Sequence, residues 1–304
     1  MQLILPKTKD LIKERNSVIQ TSLRNPESKL KVEDEYPIVL EPSNSQYSYC
    51  LMDDNQIVCH ANLWPRNICC PSGNLPIGLI GNVATRESHR NKGLMSLLFQ
   101  NLEKIALGKN LSALVLWSDL DKFYEKLGFS PIGLEKRFYL AFTSPSQKSE
   151  SFTKHKSDNI PDSLVSDILN LRFNHEITIE RTVDEFKRLL RIPEMDLFTL
   201  ETRSKISSYC LLGKGEDMFG VVHEWGAPDP KELIKLLEQV SSCKRFPEMI
   251  LLTPHTLRED WENQLLKVSK YFETHPMALG KVIAPNQISN RIINNLFIWG
   301  LDSI

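Results

Sequence analysis

Residues 81–129 read GNVATRESHRNKGLMSLLFQNLEKIALGKNLSALVLWSDLDKFYEKLGF, and the fold turns on them. An apolar strand ends in Val83, Ala84 and Thr85. A polar loop ends in Arg90, Asn91, Lys92 and Gly93. A long amphipathic helix follows, with Leu94, Leu97, Leu98, Leu102 and Ile105 at helical spacing. The loop from Ser88 to Lys92 contains no proline, so each residue offers a backbone N–H, and Gly93 lets the backbone bend or approach a ligand closely. The first-turn N–H groups of a helix have no intrahelical partner, and the helix dipole adds partial positive charge there. Donors feeding a helix N-terminus make an anion site, with phosphate the usual anion. Arg90 and Lys92 add formal charge. An ordinary solvated basic loop is the alternative.

Two other phosphate loops are excluded. No G-x-x-x-x-G-K-S/T run occurs, and the region lacks the G-x-G-x-x-G of a dinucleotide fold. After the helix, Ser112 to Trp117 is a short apolar run suited to a buried strand. Asp119 to Leu127 then forms a short helix, closed by Gly128 with Phe129 beyond it.

This combination resembles the GNAT superfamily of acyl-CoA-dependent N-acetyltransferases. Its signature is a strand, an R/Q-x-x-G-x-G/A pyrophosphate loop, a helix, a strand, and a helix carrying a motif like FYEKLGF. Here the loop is Arg90-Asn91-Lys92-Gly93-Leu94-Met95, which departs from the small final residue. That variant is similar to the Eis-like (enhanced intracellular survival) branch, as is Glu35-Tyr36-Pro37-Ile38-Val39-Leu40-Glu41-Pro42 upstream. The resemblance implies an α/β (α+β) fold: a mixed, mostly antiparallel sheet flanked by helices, followed by a second, degenerate GNAT-like domain.

Composition agrees with a globular protein. The chain has 304 residues, 41% hydrophobic and 25% charged, enough for two cores. A net charge of −1 without a long single-sign run argues against a sequence-independent nucleic-acid binder. The N-terminus lacks the apolar region and cleavage site of a signal peptide, and no apolar run approaches the ~20 residues of a membrane span. A cytoplasmic protein is expected, with no membrane or nucleic-acid partner and an undetermined oligomeric state. The six cysteines, Cys50, Cys59, Cys69, Cys70, Cys210 and Cys243, form no C-x-x-C or Cys/His zinc spacing, so no metal is expected. They read as small buried hydrophobes in a reducing compartment, although the vicinal Cys69-Cys70 pair could be redox-active.

In chain order, Leu11 to Leu23 reads as a helix stopped by Asn25-Pro26. Gln46–Met52, Gln56–Cys69 and Leu75–Thr85 read as an antiparallel run of strands. His60 lies opposite in phase to Cys59 and Ala61; it is either a packed structural histidine, the commoner case, or one that faces the cleft. Arg137 to Thr143 reads as the strand closing the first domain, and the serine- and lysine-rich residues 144–159 as a linker. The expected domains are 1–145 for acyl-CoA binding, 146–160 as linker and 161–304 for the degenerate copy. That half is expected to hold helices 164–172, 183–190 and 230–240 and strands 196–201, 205–212, 218–225 and 248–252. Gly226-Ala227-Pro228-Asp229-Pro230 stands where its loop would be; two prolines remove donors and Asp229 adds negative charge, so it should not bind CoA. The chain as given stops at Ile304, with no room for the sterol-carrier-like domain many Eis-like proteins carry.

The resemblance also implies roles. Acetyl-CoA is the expected co-substrate. Val83, Ala84 and Thr85 would pair with its pantetheine amides, and one N–H of that edge would polarise the thioester carbonyl. Arg90, Asn91, Lys92, Gly93, Leu94, Met95 and Ser96 would hold its pyrophosphate. Tyr124 would be the general acid, pointing toward the cleft while Phe123 and Leu127 face the core; half-buried packing is the alternative for a tyrosine at this position. Asp119 would either touch the pantetheine arm or cap the short helix. The base is not visible. Leu79, Ile80, Gly81 and Asn82 hold no acid; His60 and His89 are outside candidates. The C-terminal carboxylate that Eis-like enzymes use is not expected to reach the cleft from Ile304. The expected reaction is direct attack of a primary amine, on a small molecule or a peptide, on the thioester in a ternary complex. The alternative is a non-catalytic acyl-CoA-binding module.

Overall fold

The computed structural model describes the chain except for residues 71–72, 143–150, 157–159, 173–176, 204, 244–247, 286–287 and 289. It divides into two compact units. The first comprises Met1–Ile132, Ala278–Asn294 and Asp302–Ile304; the second comprises Gly133–Met277 and Asn295–Leu301.

In the first unit, β1 (Gln2–Ile4) leads to α1 (Lys9–Leu23) and the short α2 (Val32–Glu35). Thr8 caps α1 by accepting the Leu11 N–H at 3.3 Å. A meander of β2 (Ser48–Asp53), β3 (Gln56–Cys70) and β4 (Gly73–Thr85) follows. Then come α3 (Leu94–Gly108), β5 (Ala113–Leu116) and α4 (Asp121–Glu125). The sheet order is β1-β2-β3-β4-β5, with β4 and β5 parallel and the other pairs antiparallel.

Strand periodicity sorts the side chains into two cores. Ala61, Leu63 and Ile80 pack against Leu98, Phe99 and Leu102 of α3 on one face. Cys50, Ile57 and Ala84 pack with Val18 and Ile19 of α1 on the other. The inward stripe of α3 differs from its sequence reading. Leu97 is exposed and Ile105 half-buried, while Phe99 and Ala106 take the buried positions.

The second unit contains β6 (Ser130–Leu140), whose residues from Gly133 onward belong here, then β7 (Phe152–His155), α5 (Asp162–Arg172), β8 (Thr178–Ile179) and α6 (Val183–Leu189). Next come β9 (Asp196–Thr202), β10 (Lys205–Leu212), β11 (Val221–Gly226), α7 (Pro230–Ser242), β12 (Met249–Pro254) and α8 (Glu259–Leu266). β13 (Ser269–Val282) lies in this unit as far as Met277 and in the first unit from Ala278, and α9 (Asn290–Asn295) belongs to the first unit except for Asn295. The sheet order is β6-β12-β11-β10-β9-β7, with β11 and β12 parallel. A three-stranded meander, a helix, a parallel strand and a short helix thus occur in both units in the same order.

The strand boundaries correct two expectations. β6, read as the closing strand of the first domain, pairs along Glu135–Leu140 with β12 of the second unit. The strand beside β5 in the first unit comes instead from the far end of the chain, where Leu279–Val282 of β13 pair with Ala113–Leu116. Sequence order assigns a strand to the half in which it occurs, whereas its register is set by the partner it meets. The segment read as a linker contains β7, which pairs with β9 through Phe152↔Leu200 and His155↔Leu197. The boundary expected between residues 145 and 146 lies outside the described residues.

Candidate active site in the first unit

The site is built where β4 leaves β5. Their parallel ladder runs through Ile77↔Ala113, Gly78↔Leu114 and Leu79↔Val115 and stops there. On its other side β4 stays paired with β3 as far as Thr85, but with a bulge: His60 opposes Ala84 and Asn62 opposes Gly81, so Asn82 and Val83 face Ala61 alone. Asn82 carries the bulge at φ +50°.

Backbone alternation then decides what the free edge offers. The Arg86 N–H donates to Val58 O at 2.9 Å, so Ala84 and Arg86 turn their polar groups toward β3. Val83 and Thr85 turn theirs away, onto an edge without a strand partner among the described residues. The Thr85 carbonyl shows this direction, accepting Ser22 Oγ and Arg90 Nε, each at 3.3 Å.

His60 fixes the bulge. It is fully buried, and its Nδ1 lies 2.8 Å from the Asn82 carbonyl. A carbonyl only accepts, so Nδ1 carries the proton and Nε2 is the bare nitrogen. Nε2 has no hydrogen-bond partner among the described residues. Burial drives the imidazole pKa down to about 3, with the Asn82 bond acting in the opposite direction. The ring is therefore neutral at physiological pH. Of the two readings of His60, the structural one holds, and its partner is the backbone of the candidate site.

The loop ends at Gly93, the N-cap of α3, at φ +73° and with no side-chain cap. Asn91 is also left-handed, at φ +62°. Asn tolerates that conformation better than most residues and glycine adopts it freely. Leu97 N–H makes the first helical bond, to Gly93 O at 3.2 Å. The N–H groups of Leu94, Met95 and Ser96 precede it and have no helical acceptor. Arg90, Asn91, Lys92 and Gly93 are exposed around them. The sequence-derived loop residues and the β4 edge therefore lie in consecutive segments of one unit, with open donors on both.

Tyr124 is placed differently from its expectation. It is the buried residue of α4, while Phe123 and Leu127 are only partly buried. Phe99, Phe123 and Phe129 surround it at centroid distances of 5.6, 5.0 and 5.9 Å. Burial raises its pKa to about 12, against the pull of a hydrogen bond with Ser118. Asp119 is exposed and does not cap α4. The N-cap is Leu120, which makes no side-chain cap bond, and the Leu120 N–H donates instead to Ser118 Oγ at 3.1 Å. His89 lies 3.7 Å from the Asp53 carboxylate.

Two features were not read from the sequence. Arg15 of α1 is fully buried and donates to Leu40 O at 2.6 Å and Ser48 Oγ at 3.0 Å, tying the 36–40 segment and β2 to the helix. Its charge gave it the appearance of a surface residue on an amphipathic helix. Ile304, expected to stay away from the cleft, lies against β4. A Cβ on Gly81 would fall 2.3 Å from the Ile304 carbonyl oxygen. The signal was a glycine in a strand interior, which marks a close backbone approach. Among the described residues, no group of three His, Cys, Asp or Glu side chains could hold a metal. No helix among them is long and apolar enough to cross a membrane.

Residues 6–132 match the family model of the acetyltransferase (GNAT) domain. No curated protein matches the chain. Solved structures do. A probable N-acyltransferase from Enterococcus faecalis V583, itself described as of unknown function, superposes with a TM-score of 0.68 at 12% identity, over 93% of this chain and 73% of that one. A putative acetyltransferase from Pyrococcus horikoshii gives 0.59 at 16%, over 99% and 95%. Eis1 from Mycobacterium abscessus gives 0.58 at 10%, over 93% and 74%. At such identities the likeness is one of fold. Residues 6–132, with β4, its loop, α3, β5 and α4 in the order seen here, thus match a GNAT acetyltransferase domain.

Proposed function

We propose that the protein is an acetyl-CoA-dependent N-acetyltransferase that transfers an acetyl group to a primary amine by direct attack in a ternary complex. The observation that carries this reading is the pairing of a β4 edge at Val83 and Thr85, without a strand partner among the described residues, with an uncapped helix N-terminus at Gly93. Acetyl-CoA supplies the activated thioester; the chain supplies position. The N–H groups of Leu94, Met95 and Ser96, with Arg90, Asn91, Lys92 and Gly93, suit the pyrophosphate. Val83 and Thr85, on either side of Ala84, suit the amides of an extended pantetheine, as an added strand would. Such placement is worth roughly 7–11 kcal/mol over free reactants.

Tyr124 is the proposed acid. With its pKa at about 12, the phenol stays protonated and donates a hydrogen bond to a developing thiolate, whose own pKa is about 8.5. Complete proton transfer from it would be uphill, so solvent is left to supply the final proton. Asp119, exposed at the start of this turn, remains the proposed contact for the pantetheine arm. The Ile304 carbonyl, against Gly81, is the proposed acceptor for an N–H of the incoming amine. The second unit is proposed to be a GNAT-like copy that does not hold CoA, because Asp229 Oδ1 already accepts the Lys231 and Glu232 N–H groups at 2.8 and 3.1 Å.

The test is calorimetry with acetyl-CoA on the unmodified protein and on Gly93→Trp, with melting temperatures as a folding control. Saturable binding, lost in a folded variant, is expected. Absence of binding to the unmodified protein overturns the reading. Tyr124→Phe then separates an enzyme from a binding module: turnover of an amine panel should fall on the order of 100-fold with acetyl-CoA affinity held.

A further inference from the structure

The second unit diverges where the first does, but the gap is furnished differently. β11 and β12 are paired only at Val221↔Ile250 and Val222↔Leu251. Beyond that, the side chains at the C-terminal ends of the two strands border a cavity of about 260 Å³. Its deeper wall is aromatic. Trp225 stacks on Trp261 at 5.3 Å and meets Trp299 edge-on at 5.7 Å; Phe297 meets Trp299 edge-on at 4.7 Å. The Trp225 indole N–H donates to Leu252 O at 2.9 Å, which spans the divergence and fixes the ring. An anion at the start of α7 would find its donors taken by Asp229 and a proline at the first helical position. The position that suits a phosphate chain in the first unit is, in the second, a pocket for something flat and apolar.

Size and charge narrow the occupant. A cavity of about 150 Å³ lined by apolar side chains holds benzene, so about 260 Å³ accommodates a second ring or a short side chain. Among the residues lining the cavity, Arg258 is the one that carries a formal charge. Its Nε and one Nη2 donor are engaged by Asp260 at 3.0 and 2.6 Å. A guanidinium has five donors in a fixed fork, and those on Nη1 are not used by that ion pair. Asp260 offsets part of the Arg258 charge from the Nε–Nη2 edge but is not among the lining residues, so within the wall a carboxylate could gain charge-assisted bonds from Nη1, whereas a cationic ligand would find no acid there.

We infer that this cavity, at the divergence of β11 and β12, is a binding site for a one- or two-ring aromatic carboxylate, with the ring against the tryptophans and the carboxylate on Arg258. The site is independent of the acetyl-transfer reading, since every residue in it belongs to the second unit.

The test uses the full-length protein with four probes: indole-3-acetate, indole, tryptamine and cyclohexanecarboxylate. Binding is followed by calorimetry and by ligand-observed NMR saturation transfer. Indole-3-acetate should bind with sub-millimolar to millimolar affinity, several-fold tighter than indole or cyclohexanecarboxylate, and tryptamine should bind least. Arg258→Ala, a change at an exposed rim position, should bring indole-3-acetate to the level of indole and leave indole unchanged. Thr256→Trp, also at the rim, should fill the cavity and abolish both, with the melting temperature held. The inference is overturned if no probe saturates below about 10 mM, a decade above the millimolar affinity that corresponds to ~4 kcal/mol. It is equally overturned if tryptamine binds as tightly as indole-3-acetate, or if Arg258→Ala leaves the preference intact.

Discussion

Replacing His60 by leucine should lower cofactor affinity with stability nearly held, whereas replacing it by asparagine should lower stability with affinity nearly held. In the folded protein the Nδ1–H bond to the Asn82 carbonyl, at 2.8 Å, holds the β4 bulge, while Nε2 is buried without a partner among the described residues. His60→Leu removes the bond, worth about 0.5–1.5 kcal/mol, and leaves the carbonyl orphaned at about 1–3 kcal/mol; it also removes the orphaned nitrogen, which returns a similar amount. Global stability should change by no more than about 1.5 kcal/mol. The bulge, however, loses its anchor, and the Val83 and Thr85 edge that adjoins it loosens. Acetyl-CoA affinity should fall about 5–10-fold, the equivalent of roughly 1 kcal/mol. Asparagine behaves oppositely. Its Nδ2 is bonded to Cγ, as Nδ1 is in histidine, so it can donate to the same carbonyl, but it leaves the rest of the imidazole volume empty. Stability should drop by about 1–3 kcal/mol, as for a small cavity, with affinity within a few-fold of the unmodified protein. Denaturant melts and acetyl-CoA calorimetry measure the two effects, and the Val83 and Thr85 amide shifts report the bulge directly. If His60→Leu binds acetyl-CoA as the unmodified protein does and leaves those shifts in place, the anchoring role is refuted.

Three further outcomes are expected. Gly81→Ala puts a Cβ 2.3 Å from the Ile304 carbonyl oxygen, a backbone atom that must move; an overpacking cost of about 1–3 kcal/mol and a raised KM for the amine should follow, with acetyl-CoA affinity held, as steady-state kinetics would show. Acid should unfold the protein from near pH 6.5 downward. The buried neutral His60 and His223 have pKa values lowered to about 3 and about 4, so the unfolded chain takes up their protons first and stability is lost as pH falls. Glu224, lowered to about 2 with Arg181 and Arg172 as the charges that oppose its burial, contributes above its unfolded pKa and adds a second loss below about pH 4.5, visible as steepening of the acid melt. Arg181→Met should destabilise the second unit by about 3–5 kcal/mol, because it removes the two-pronged partner of a fully buried carboxylate; a thermal melt of the full chain would register it.

The parts of this molecule that were legible in the sequence are those governed by neighbours in the chain. Gly93 before a leucine stripe placed the start of α3, and the apolar run at Ser112–Trp117 placed β5, because helix periodicity and caps are local. What could not be read depends on distant partners. Glu135–Leu140 look the same whether they close one sheet or pair with Met249–Pro254, and nothing near Leu279–Val282 announces a place beside β5. Tyr124 and Phe123 exchanged roles because neighbouring positions on a five-residue helix differ by about 100° and only tertiary packing decides which is inward. The candidate site was half legible for the same reason. Its loop and strand are contiguous, whereas the Ile304 carbonyl reaches Gly81 from the other end of the chain.

The two helix N-termini show how little of a ligand preference resides in the fold. α3 and α7 each follow the last strand of a meander and precede a parallel strand. At α3 the cap is Gly93, which brings no side-chain acceptor of its own, and the first-turn donors have no side-chain cap, with Arg90 and Lys92 exposed just before them. At α7 the cap is Asp229, whose carboxylate occupies two of those donors, and Pro230 removes another. The substitution costs nothing in helix stability, since Asp is a better cap than Gly, but it turns an anion attractor into an anion repeller. Once phosphate is refused at that corner, the divergence of β11 and β12 can be lined with indoles, which would have obstructed an extended pantetheine. On the two proposals made above, the chemistry at the cap decides which contents the gap can hold, and the same backbone order would serve a charged chain in one unit and a flat ring in the other.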